Sequence, residues 1–232
     1  MASKLNMNVL GRQLCRKSIL RTKPTISRGL ASSAYTDSAR EQGPAVTSTP
    51  SDITPHQRKL LEAALRVDQA GEIAANWIYH GQHAVLSGDK RTGELIQDMW
   101  DQEKKHLQVM DKLQIQHQVR PTLLTDVAKV AGFGLGAVTA LMGREAAMAC
   151  TEAVETVIGE HYEDQLKELD EMSTTHPSIP LLKDIIREFR DDELEHLDIA
   201  VENHAQRAPA HALLSAVVGA GCKVAIELCK RV

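Results

Sequence analysis

The chain has 232 residues, 43% of them hydrophobic and only 3% aromatic, and a net charge of -4. That length accommodates one domain and a tail, and so mild a charge gives no basis for nucleic-acid binding. Gly and Pro are modest and no stretch alternates as a strand would, so the composition is that of an all-α protein.

The amino terminus stands apart. No acidic residue precedes Asp37, whereas Lys4, Arg12, Arg16, Lys17, Arg21, Lys23 and Arg28 all do, with Ser and Thr between them. A basic, hydroxylated, acid-poor stretch reads as a mitochondrial presequence, drawn inward by the inner-membrane potential. The alternative is a basic tail without targeting meaning. Residues 1–36 are assigned to this presequence, with a cut expected after Arg28, near Leu30–Ser33. Residues 37–53 are rich in Ser, Thr, Pro and Gly and read as linker. Residues 54–232 form the expected domain.

Thr54-Pro55 supplies a hydroxyl cap and a proline for the first helical position. Leu61, Leu65, Asp68, Glu72 and Tyr79 follow with helical spacing, and this helix should end near Ser87-Gly88. A second helix is expected from about Thr92 to His117, stopping before Pro121. A third, Leu123 to Met142, is apolar and small-residued and is broken by Gly143. A long fourth helix runs from about Arg144 to Met172. After the turn His176-Pro177-Ser178-Ile179-Pro180, a fifth runs from Leu181 to about Gln206. Pro209 opens the last, Ala210 to about Lys230.

Four of these six helices mix polar and apolar residues and are long enough for a bundle. The other two, around Leu123–Met142 and Ala210–Cys229, are unusually apolar. Asp126 and Lys129 interrupt the first, Lys223 and Glu227 the second, so neither is a clean run of the ~20 apolar residues that a membrane span needs. They read as helices lying in a membrane interface or, equally, as ordinary core helices. Cys150, Cys222 and Cys229 lack paired zinc spacing and read as small apolar fillers, with no disulfide framework implied.

Two motifs carry chemistry. In Glu103-Lys-Lys-His106 and Glu193-Leu-Glu-His196 a carboxylate and an imidazole stand three residues apart, on one helix face and within reach of one ion. Each pair follows, a helix earlier, a lone Glu on a small or apolar face. Glu72 lies in Val67-Asp-Gln-Ala-Gly-Glu-Ile and Glu155 in Met148-Ala-Cys-Thr-Glu-Ala-Val-Glu, so the chain holds a weak internal repeat. One Glu-x-x-His is close to chance. Two such helices plus two lone Glu are the ligand set of ferritin-like di-iron and di-manganese bundles. Glu72, Glu103, His106, Glu155, Glu193 and His196 are therefore the candidate metal ligands. Oxygen and imidazole donors suit iron or manganese, and two dications would neutralise four buried glutamates. Asp192 and Asp68 are candidates to accept the free ring N–H of a ligand histidine. His161 and Tyr162 are expected to face the same cavity as candidate catalytic residues.

At Leu65-RVDQAGEIAANWIYHGQ-His83, Trp100-DQEKKHL, Ala149-CTEAVETVIGEHY, Phe189-RDDELEHLDIA and Ala220-GCKVAI the chain resembles the demethoxyubiquinone hydroxylases of ubiquinone biosynthesis, and the likeness covers nearly everything after Thr54. The resemblance implies a ferritin-like four-helix bundle with two added apolar, membrane-facing helices. It implies a di-iron monooxygenase that hydroxylates the ring of a demethoxyubiquinone using O2 and electrons from NADH. It places the enzyme peripherally on the matrix side of the inner mitochondrial membrane, with a lipid-binding partner protein in a ubiquinone-synthesising complex. The family's iron ligands fall on the same six residues. Lys223, where the family commonly has Arg, is the implied cofactor-contacting position. Composition cannot choose between Glu152 and Glu155. The family position and the two-turn spacing to Tyr162 favour Glu155. The rival readings are a ferritin-like iron store or ferroxidase, and a non-catalytic helical scaffold on a membrane.

Overall fold

Local chemistry starts and stops the long helices. The Thr54 hydroxyl accepts the Gln57 N–H while the Gln57 side chain accepts the Thr54 N–H, so both orphan donors are satisfied at the first turn. The Asp89 carboxylate caps the next helix through the Thr92 N–H at 2.9 Å. Gly143, at φ 120°, sits where a side chain would be strained and separates two helices that would otherwise run on.

A computed structural model describes residues 31–37 and 43–232, and no strand occurs among them. Two short helices come first, α1 (Ser33–Thr36) and α2 (Pro44–Thr47). The long ones are α3 (Pro55–Leu86), α4 (Lys90–His117), α5 (Thr125–Leu141), α6 (Arg144–Asp170), α7 (Ser178–Glu202) and α8 (His211–Cys229), with a 3-10 turn at Ala205–Arg207 before the last. Short loops make α3–α4 and α6–α7 into helical hairpins, and these four helices form the bundle. Leu61, Leu65, Met110, Leu113, Leu166, Ile185 and Phe189 fill one end of its core. Tyr79, Ile96, Met99, Ala146, Met148 and Ala200 fill the other. The two Glu-x-x-His pairs, on α4 and α7, and the lone glutamates, Glu72 on α3 and Glu155 on α6, lie between these layers.

The helices α5 and α8 flank the bundle. α5 lies against α3 so closely that a Cβ on Gly136 would sit 2.0 Å from the Ile78 carbonyl oxygen, and one on Gly81 2.3 Å from that of Phe133. α8 packs on α6, with Val218 beside Cys150 and Val154. Their outer faces are apolar and uncovered: Val127, Val130, Val138 and Leu141 on α5, and Leu213, Val217 and Val224 on α8, are all exposed. Their inner faces pack on the bundle, so they are neither buried core helices nor free ones. By length and composition α8 could cross a membrane, despite Lys223 and Glu227, whereas α5 has only 17 residues. Cys150, Cys222 and Cys229 are free thiols, the first fully buried.

Residues 1–30 lie outside the described residues, and with them most of the presequence assignment. Its last residues and the stretch read as linker are packed where they are described. Tyr35 is buried in the α4–α7 core; its hydroxyl donates to Gln116 and its carbonyl accepts from Lys112. The Gln116 amide donates to the carbonyls of Ala45 and Ser48, and Thr49 bonds His117. Polar composition suggested a tether at 37–53. The buried side chains of α4 instead supply partners for its backbone, and the described part of that stretch straps the bundle.

Candidate metal centre

Glu72 and Glu155 stand near the middle of α3 and α6, and the two Glu-x-x-His pairs on α4 and α7. All six residues are buried, none more than 3% exposed. Their donor atoms form two groups, each within 4.8 Å: Glu72, Glu103, His106 and Glu193 in one, Glu103, Glu155, Glu193 and His196 in the other. Glu103 and Glu193 belong to both. The sharing is visible at Glu193, whose Oε1 lies 3.2 Å from His106 Nδ1 and whose Oε2 lies 3.2 Å from His196 Nδ1. Glu155 belongs to one group only, so the shared carboxylates are those of the two motifs. Oε2 of Glu72 and Oε2 of Glu103 accept no hydrogen bond although fully buried. Unpaired carboxylate oxygens at such depth are costly unless something cationic meets them. Four carboxylates and two imidazoles in two overlapping groups fit a pair of divalent ions.

The charges show the same tension. Burial, with Glu193 close by, raises the Glu103 carboxyl to about 8. Burial and the charges of Glu193 and Glu103 push Glu155 well above the carboxylate range. Burial acts likewise on Glu193, but hydrogen bonds from His106 and His196 outweigh it and hold that carboxyl down to about 2. Burial opposes charge on the histidines, yet Asp192, Glu193 and Glu72 raise His106 well above the usual imidazole range. Glu103 and Glu193 likewise raise His196 to about 11. Without metal, the protons favoured on both imidazoles, Glu103 and Glu155 do the neutralising that cations would do. Metal binding must displace them. Calorimetric titration at pH 7 in two buffers of different protonation enthalpy should therefore register proton release. Affinity should rise with pH through about 8, where Glu103 loses its own proton, and on toward about 11, where His196 does. Equal heats in both buffers would contradict this protonation pattern.

Around the cluster, Asp192 accepts from His106 Nε2 at 3.1 Å, which turns Nδ1 inward. Asp68 does not serve a ligand histidine: it is paired with His161 at 3.0 Å and accepts from Gln165 at 2.7 Å. Tyr162 reaches the centre and donates to Glu72. His161, its neighbour, points to Asp68 at the rim instead, because adjacent helical positions differ by about 100°. Lys223 lies outside, 64% exposed and paired with Glu160 at 3.3 Å. Glu152, the competitor of Glu155, is turned to His211 at 2.6 Å. One contact went unread in the sequence: Tyr79 donates to Glu155 Oε1 at 2.8 Å. The signal was present, since Tyr79 follows Glu72 by the seven residues that separate Tyr162 from Glu155.

Residues 59–229 match the family described as ubiquinone biosynthesis protein COQ7. The chain is 49% identical over 174 residues to the NADPH-dependent 3-demethoxyubiquinone 3-hydroxylase, mitochondrial, of Bos taurus, covering 75% of this chain and 79% of that protein. Over 191 residues it is 41% identical to the 5-demethoxyubiquinone hydroxylase, mitochondrial, of Saccharomyces cerevisiae, covering 78% and 82%. Over 178 residues it is 46% identical to the 3-demethoxyubiquinol 3-hydroxylase of Rhodospirillum rubrum, covering 77% and 81%.

Proposed function

This chain belongs to the COQ7 family of ubiquinone biosynthesis proteins, and on that footing we propose that it is a di-iron monooxygenase that hydroxylates the ring of a demethoxyubiquinone. The carrying observation is the pair of buried Glu/His groups that share Glu103 and Glu193, set in a chain whose relatives are named for that hydroxylation. Both the donor set and its burial suit iron.

Two irons, when bound, supply the activation of O2 and the electron transfer that leave one oxygen on the ring and one in water. The residues of this chain hold and shield that pair. Glu103 and Glu193, common to both donor groups, would supply charge to both ions, and Glu72 with His106 and Glu155 with His196 would each complete one group. Asp192 keeps His106 in the tautomer that presents Nδ1. Ile78, Val154 and Val218 form an apolar shell on the α5–α8 side of the bundle, which excludes water from the reaction.

The electron donor is a reduced nicotinamide nucleotide. The family resemblance implied NADH, whereas the name of the Bos taurus relative prints NADPH. Iron-loaded protein should convert a short-chain demethoxyubiquinone to a product carrying one oxygen from labelled O2. Parallel assays with the two nucleotides identify the donor. Absence of labelled product with either nucleotide, in a protein shown to hold iron, would sink the hydroxylase reading.

The compartment is the mitochondrion, matrix side, with peripheral attachment to the inner membrane through the outer faces of α5 and α8 and a lipid-binding protein as partner. Relatives named mitochondrial, the basic amino terminus and the bare valines and leucines of both helices support this. Carbonate treatment of isolated mitochondria should release the protein, and its first residue should lie near Ala31. An intact Met1 would refute the presequence, and retention in the pellet would favour a spanning α8.

A further inference from the structure

Glu72 and Glu155 are each followed by a tyrosine seven residues along the same helix, Tyr79 on α3 and Tyr162 on α6. Seven residues are nearly two turns, so each glutamate and its tyrosine share a helix face. Neither phenol bonds the glutamate of its own helix. Tyr79 crosses to Oε1 of Glu155 at 2.8 Å, and Tyr162 crosses to Oε1 of Glu72. Both rings are 1% exposed, and each hydroxyl reaches its glutamate as a donor. The second oxygen of Glu72 is left without a hydrogen bond, 3.6 Å from His106 Nδ1.

We infer that Tyr79 and Tyr162 are positioning residues, each occupying one oxygen of the opposite helix's glutamate so that Glu72 and Glu155 bind metal through the other oxygen alone. The inference rests on the metal reading above. A carboxylate with both oxygens free can chelate one ion or bridge two. A phenol donor removes that freedom without adding charge, so four glutamates still balance two dications. The two crossed bonds also relate the halves of the internal repeat. The lone glutamates are held as terminal ligands, while Glu103 and Glu193, which no phenol touches among the described contacts, are the shared ones.

The test uses metal-free full-length chain titrated with cobalt(II), whose visible bands report coordination number. Wild type should take up two ions. Tyr79→Phe and Tyr162→Phe should each bind about 10- to 100-fold more weakly, with altered bands as the released carboxylate changes its mode. Tyr35→Phe removes a buried phenol that bonds Gln116 instead of a glutamate of the centre, and should keep wild-type affinity and bands. Site variants that bind with wild-type affinity and bands overturn the proposal. So does an equal loss in Tyr35→Phe, which would make the effect one of general stability. Wild type that takes up no cobalt overturns the metal reading itself, and this inference with it.

Discussion

Glu155→Ala is expected to lose hydroxylation by about a hundredfold or more, since substitution of mere outer partners of a metal ligand already costs 10- to 100-fold. Glu152→Ala, three residues away, should keep it within about twofold. The difference lies in where the two side chains go. Glu155 is 2% exposed and shares a 4.8 Å group with Glu103, Glu193 and His196. Truncating it removes one of the four carboxylates that would balance two dications and takes from the Tyr79 hydroxyl its carboxylate acceptor. Glu152 is turned toward α8, where it meets His211 at 2.6 Å with both side chains partly exposed. A pair of that kind contributes at most about 1 kcal/mol. Iron per chain and product formed should be measured on both variants, with thermal midpoints as the control for folding. An inactive, iron-poor Glu152→Ala beside an active Glu155→Ala would reverse the assignment.

Gly136→Ala is expected to destabilise the fold by about 3 kcal/mol, the upper end of the usual cost of overpacking. The added Cβ would stand 2.0 Å from the Ile78 carbonyl oxygen and 2.8 Å from its carbon. Those are backbone atoms inside α3 and cannot rotate aside, so α5 has to move away from the bundle. Gly134→Ala on the same helix meets nothing within 4 Å. It should stabilise by up to about 1 kcal/mol, from helix propensity and a less free unfolded chain. Denaturant midpoints of the two variants should therefore shift in opposite directions. Equal shifts would mean that α5 is held by its composition and not by close backbone contact with α3. Loss of α5 would also strip the shell on that side of the centre, because Leu135 packs with Ile78 and Val154.

Local chemistry made much of the molecule legible before folding. A hydroxyl before Pro55 and a glycine at 143 mark helix limits through contacts within a few residues, and the observed limits fall there. Glu103/His106 and Glu193/His196 are readable for the same reason. Three residues of α-helix put two side chains on one face regardless of what packs around them. The likeness to known hydroxylases then added the lone glutamates and the reaction, which spacing alone could only suggest.

Contacts between helices were another matter. That Glu103 and Glu193 are the shared carboxylates depends on how α4 and α7 face each other, a relation with no trace in either helix alone. Asp68 was a candidate to orient a ligand histidine and instead holds His161, because the partner comes from α6 and is set by helix rotation. The strap at 44–53 looked like tether, since its polar residues say nothing about the Gln116 and His117 side chains that α4 offers its backbone and Thr49. The sequence by itself determined the two Glu-x-x-His pairs as candidate ligands, since that rests on periodicity along single helices. Only the tertiary structure decided which carboxylates belong to both groups of donors and which phenols bond the others, because those are distances across the bundle set by packing.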